Sequence, residues 1–106
     1  MIQTSHIRIG PFDYELLFVE RLQDEDGEAC DGLQRYNATT IEIESTLSPE
    51  SQLAAIWHEA IHAILDNAGI RPKLQKENVI DAISHGILQI IRDNQWILAH
   101  NPREGG

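Results

Sequence analysis

Basic residues are scarce: 8 Lys and Arg stand against 17 Asp and Glu, a formal net charge of −9. A protein that neutralises a phosphate backbone needs a stripe of cations, and none is present, so no nucleic-acid partner is expected. Cysteine is nearly absent. The lone thiol, Cys30, cannot close an internal disulfide, so the fold must rest on its core or on a metal. No apolar run approaches the roughly 20 residues that span a bilayer, and no membrane association is expected. Met1 to Phe12 also lacks the basic start and apolar run of a secretory signal. The expectation is a soluble protein of a reducing cytoplasm.

What is present is ordinary globular material. The 106 residues are 42% hydrophobic, enough for one domain over 1–106 with a small core. The acid is unevenly spread: residues 1–50 hold 11 acids and 3 bases, residues 51–106 hold 6 and 5. Residues 24–32, with Asp24, Glu25, Asp26, Glu28, Asp31 and two glycines, read as a solvated loop. Their spacing does not fit a calcium loop of the EF-hand type.

β-Branched and aromatic residues mark a short strand at 6–9 and a longer one at about 13–21, broken by Gly10-Pro11. A further strand is expected within 33–47, centred on Ala38–Glu44. There Ile41 and Ile43 alternate with Thr40, Glu42 and Glu44, and the polar alternate face suggests an exposed or edge position. Ser48 as N-cap and Pro49 at the first helical position open a helix that should run to about Asn67, stopped by Ala68-Gly69. After the break at Pro72, a second helix is expected from about Leu74 to Asn94, then a polar tail. The expected class is α+β, with about three mostly N-terminal strands packed on two long helices.

The first helix carries His58-Glu59-Ala60-Ile61-His62, the HExxH pattern. Residues i and i+4 share a helix face, so His58 and His62 can point at one ion, and neutral imidazole nitrogen suits zinc. Glu59 lies about 100° round the helix, within reach of a metal-bound water without being a ligand, as a general base requires. With His58 as zero, Leu53, Ala54, Trp57, Ala60, Ile61, Ile64 and Leu65 fall at about 200–340° and His62 at about 40°. The two histidines thus flank the expected core-facing stripe.

A zinc site needs a third protein ligand. The metzincin extension would require glycine at 65 and histidine at 68; Leu65 and Ala68 exclude it. The second helix offers Glu77, Asp81 and His85, along one side of a stripe formed by Val79, Ile80, Ile83, Ile87 and Ile91. Glu77 and His85 stand about 12 Å apart along the axis and cannot both bind one ion. Glu77 on the metal, with Asp81 accepting a hydrogen bond from a ligating imidazole, is the natural pair; Asp81 or His85 as ligand is the alternative.

Glu77-Asn78-Val79-Ile80-Asp81 resembles the second-helix signature of gluzincins, a glutamate ligand followed four residues later by an aspartate. Residues 33–95 as a whole resemble the small HExxH proteins of phages and prophages, minimal zincins related to the ImmA/IrrE metallopeptidase domain. The resemblance implies zinc on His58, His62 and Glu77, with Glu59 as general base and Asp81 supporting a ligand. It also implies that the strand before the motif helix borders the cleft and pairs with an extended peptide or protein substrate. The spacer between His62 and Glu77 is short, and no second domain of the kind that walls the cleft in larger gluzincins is expected.

Candidates for the oxyanion donor are Tyr36 and His85. Cys30, among acids, is not expected to be an activated thiol. His6 and His100 read as solvated, and Trp57 and Trp96 as packing residues, with Trp96-Ile97-Leu98 capping the core or meeting a partner. The expected function is a zinc metallopeptidase that hydrolyses peptide bonds. The alternative is a catalytically silent, zinc-stabilised adaptor or regulatory protein of a phage, but a purely structural site would need His58 and His62 without Glu59.

Overall fold

The computed structural model describes residues 5–100. It is α+β, with strands β1 (Ser5–Ile9), β2 (Phe12–Val19), β3 (Gly32–Arg35) and β4 (Thr40–Glu44). Helices α1 (Pro49–Asn67), α2 (Glu77–Asp93) and α3 (Trp96–Ala99) follow, with a 3-10 turn at Pro72–Leu74 before α2. The strand order is β1-β2-β4-β3, a mixed four-stranded sheet. Only β2 and β4 run parallel. No described helix is long and apolar enough to cross a membrane.

The β1–β2 hairpin turns on Gly10-Pro11, with Gly10 at φ 58 in the first central position. A side chain other than hydrogen is disfavoured there. The second hairpin was hidden in the sequence. The segment expected as one strand folds back on itself at Tyr36–Thr39, so Arg35 pairs with Thr40. That turn contains neither glycine nor proline and is closed by Thr39 at φ 48, a conformation rare for a β-branched residue. Four strands therefore replace the expected three. Ala38–Glu44 is also not an edge: β4 lies between β2 and β3, and β3 takes the border.

Inner-face residues Ile9, Tyr14, Leu16, Ile41 and Ile43 form the core with Ala55, Ala60 and Ala63 of α1. Small residues on α1 let the helix approach the sheet closely, which reverses part of the expected stripe. The sheet covers the Ala55, Glu59 and Ala63 side, whereas Leu53 and Ile64 are 44% and 50% exposed. The reason is that a helical wheel ranks faces by hydrophobicity, but the face that docks is the one whose shape fits.

α1 begins and ends as expected. Ser48 Oγ accepts from Ser51 N–H at 3.2 Å, and the helix closes at Ala68 before Gly69 at φ 81. Asn67 Nδ2 donates to the Ile9 carbonyl at 3.1 Å and pins that end to the first hairpin. α2 packs on α1 and buries Ile80, Ser84 and Leu88. It starts at Glu77, later than expected, because Pro72-Lys73-Leu74 forms the separate 3-10 turn. Val79 and Ile83, expected inside, are exposed, as is Ile90. α3 lies within the expected polar tail, whose end, 101–106, is outside the described residues. Trp96, expected to pack, is 64% exposed, with its ring edge-on to that of His100.

Candidate metal centre

His58 and His62, one turn apart on α1, present rings whose centroids are 5.1 Å apart. Glu77, at the first turn of α2, reaches both. Its Oε2 is 2.8 Å from His58 Nε2 and its Oε1 is 3.0 Å from His62 Nε2. Ligand atoms of these three residues lie within 4.8 Å of one another, and they form the one such cluster among the described residues. Of the three candidates on α2, Glu77 is the one that joins the histidines.

The far sides of the rings are also held. His58 Nδ1 is 3.3 Å from Asp81 Oδ1, the contact expected of Asp81. His62 Nδ1 lies 2.7 Å from Gln75 Oε1. Gln75 Nε2 donates to Asp66 Oδ1 at 2.7 Å and to the Ile70 carbonyl at 2.8 Å, so its oxygen must face the ring, and Nδ1 carries the hydrogen. Sequence reasoning missed Gln75. It sits in the irregular stretch between the helices, where no periodicity marks a residue as buried, yet it is only 7% exposed.

The valence of these rings tests the fit of a cation. With Nδ1–H of His62 committed to Gln75, the ring can hold Nε2 against a carboxylate oxygen only with a second proton or with a cation between them. His58, flanked by Asp81 and Glu77, faces the same choice. Two Nε2 lone pairs and one carboxylate are a His2Glu donor set, the type that binds zinc with a position left open. Zinc–ligand bonds of about 2.0–2.1 Å put tetrahedral neighbours about 3.3 Å apart. The 2.8 and 3.0 Å contacts need open by only a few tenths of an ångström.

A cleft of about 460 Å³ opens beside this cluster. One wall is the end of the acidic loop, Ala29 to Gly32; α1 supplies Ser51, Ala54, Ala55, His58 and Glu59, and α2 supplies Glu77, Asp81 and His85. Glu59 lies between α1 and the sheet and is 9% exposed. Burial pushes its carboxyl up, against the downward pull of the His58 and His62 rings and of the Gln34 backbone N–H. Burial also raises the Cys30 thiol, with Asp24, Glu59 and Asp31 adding to the effect, as expected of an unactivated cysteine. The loop's own carboxylate Asp24 accepts from the backbone N–H groups of Asp26 and Glu28 and is spent on shaping the turn.

The two oxyanion candidates fare differently. His85 lines the cleft, but its Nδ1–H donates to the Asp81 carbonyl at 2.8 Å, so the neutral ring has no hydrogen left on Nε2 to offer. Tyr36 lies in the β3–β4 turn, with its ring edge-on to Phe12 at 5.8 Å, and does not line the cleft. A scan against protein-family models and searches of curated proteins and of solved structures give no match to this chain.

Proposed function

We propose that this chain is a zinc-dependent metallopeptidase of minimal zincin type, akin to the small HExxH proteins of phages and prophages. The observation that carries the reading is the convergence of His58 Nε2, His62 Nε2 and the Glu77 carboxylate beside a buried Glu59 in one cleft. Zinc held by these three residues would polarise a peptide carbonyl and make a water acidic enough to lose its proton near neutral pH. Glu59, buried beside the two histidines, would accept that proton and hand it to the departing amine as the C–N bond breaks. Asp81 and Gln75 keep both imidazoles turned with Nε2 inward. β3 is the edge strand next to the cleft, and an extended segment of a protein substrate laid along it would add a strand to the sheet.

The test is elemental analysis of the purified protein together with cleavage of a fluorogenic peptide library. Wild type is expected to hold close to one zinc per chain, and His58→Ala and Glu77→Ala to lose it. Glu59→Gln should keep the zinc and abolish cleavage. Cleavage retained by Glu59→Gln would refute the general-base role. Zinc without cleavage in wild type would instead favour the silent, zinc-stabilised adaptor.

A further inference from the structure

β3 is four residues long, and its first residue has no side chain. Glycine in a strand is costly in backbone entropy and contributes nothing to packing, so its presence calls for a reason. Backbone conformation is not the reason: Gly10, Gly27 and Gly69 have positive φ, but Gly32 does not. Space is. A Cβ at position 32 would lie 3.0 Å from Glu59 Cγ, 3.2 Å from Oε2 and 3.4 Å from Cδ. The first two distances are well inside ordinary van der Waals contact, and they involve the carboxylate and the carbon that carries it. No other neighbour comes as close to that Cβ, because the three nearest atoms all belong to Glu59.

We propose that Gly32 is a positioning residue: its missing side chain is the slot in β3 against which the Glu59 carboxylate packs, and any larger residue there displaces it. The same register puts Gly32 opposite Ile43 on the interior strand, so β3 cannot shift sideways to make room without breaking its pairing. α1 cannot retreat either, since Ala55, Ala60 and Ala63 pack it into the core. Glu59 is therefore the part that moves. A catalytic constellation tolerates a displacement of only about 0.5 Å, and a misplacement of about 1 Å can cost roughly a hundredfold in rate. The catalytic meaning of the slot rests on the peptidase reading above; the slot itself does not.

The experiment is a stability cycle, read as urea midpoints of the full-length protein in saturating zinc. Gly32→Ala is introduced beside Glu59, beside Glu59→Gln and beside Glu59→Ala. Glutamine reaches as far as glutamate, so the alanine at 32 is expected to lower the midpoint in the first two backgrounds. With the slot vacated by Glu59→Ala it should raise the midpoint, because alanine outperforms glycine where it fits. An equal change in all three backgrounds overturns the proposal. If Glu59→Ala does not fold, Glu59→Ser empties the slot equally well. Position is read separately from packing. Gly32→Ala should shift the visible absorption bands of the cobalt(II)-loaded protein, and should lower kcat on the peptide library at least tenfold with KM and metal stoichiometry unchanged. An unaltered cobalt spectrum overturns the positioning role. Absence of cleavage by wild type would tell against the peptidase reading alone, because the urea cycle and the cobalt spectrum need no turnover.

Discussion

One side chain, Gln75, ties the His62 ring to the irregular stretch between the helices. It is buried, and its amide satisfies His62 Nδ1, Asp66 Oδ1 and the Ile70 carbonyl together. Gln75→Ala leaves all three without a partner, at a cost of about 1–3 kcal/mol from the unmade hydrogen bonds. The His62 ring also loses the group that fixes its tautomer, so zinc affinity should fall about 10–100-fold. Urea unfolding and a competitive zinc titration measure the two effects. At this scale the sequence was half legible. His58 and His62 share the i, i+4 spacing on α1, and Glu77 and Asp81 share it on α2, so each pair was legible as lying on one helix face. Gln75 obeys no spacing rule, because it reaches His62 from an irregular turn.

At the scale of elements, the corner where β4 leaves the sheet for α1 depends on one carboxylate. Glu44 accepts from Leu22 N–H at 2.7 Å and from Thr46 N–H and Oγ–H at 3.2 and 2.8 Å. The Leu22 N–H contributes most to holding its carboxyl below the usual range. A folded value below the unfolded one means that the stabilisation is present at neutral pH, above the unfolded value. It is lost as pH falls through the lowered folded value. Glu44→Gln should therefore be less stable than wild type at pH 7, with the gap closing as urea unfolding is repeated towards pH 3. The elements themselves were legible where local chemistry marks them: Ser48 and Pro49 announce α1, and Gly10-Pro11 announces the first hairpin. The second hairpin was not, because Tyr36–Thr39 turns without glycine or proline and at the expense of Thr39.

For the whole molecule, a core this small would leave a cation held by His58, His62 and Glu77 a large share of the stability. A ligand that binds only the folded chain, at about 100 times its Kd, adds about 2.7 kcal/mol. At about 4 °C per kcal/mol, zinc should raise the melting midpoint by roughly 10 °C, and chelation should reverse it. His58→Ala should melt at the same temperature with or without zinc, which differential scanning calorimetry would show. The outer surface of the helical pair was misread from sequence for a reason of the same scale. Leu53, Ile64, Val79 and Ile83 are as apolar as core residues, but the one sheet is spent on the alanine face of α1.

Sequence by itself determined what repeats along a single helix. The 100° step puts His58 and His62 on one face of α1, and Glu77 and Asp81 on one face of α2, whatever they later meet. It also determined the acidic character of the chain and the absence of a disulfide. Tertiary structure alone decided that Glu77 closes on both histidines, that β3 rather than β4 borders the cleft, and that Gln75 and Gly32 flank the site. Those are contacts between residues on different elements, and they depend on which faces fit together in space, a quantity that no periodicity along one chain encodes.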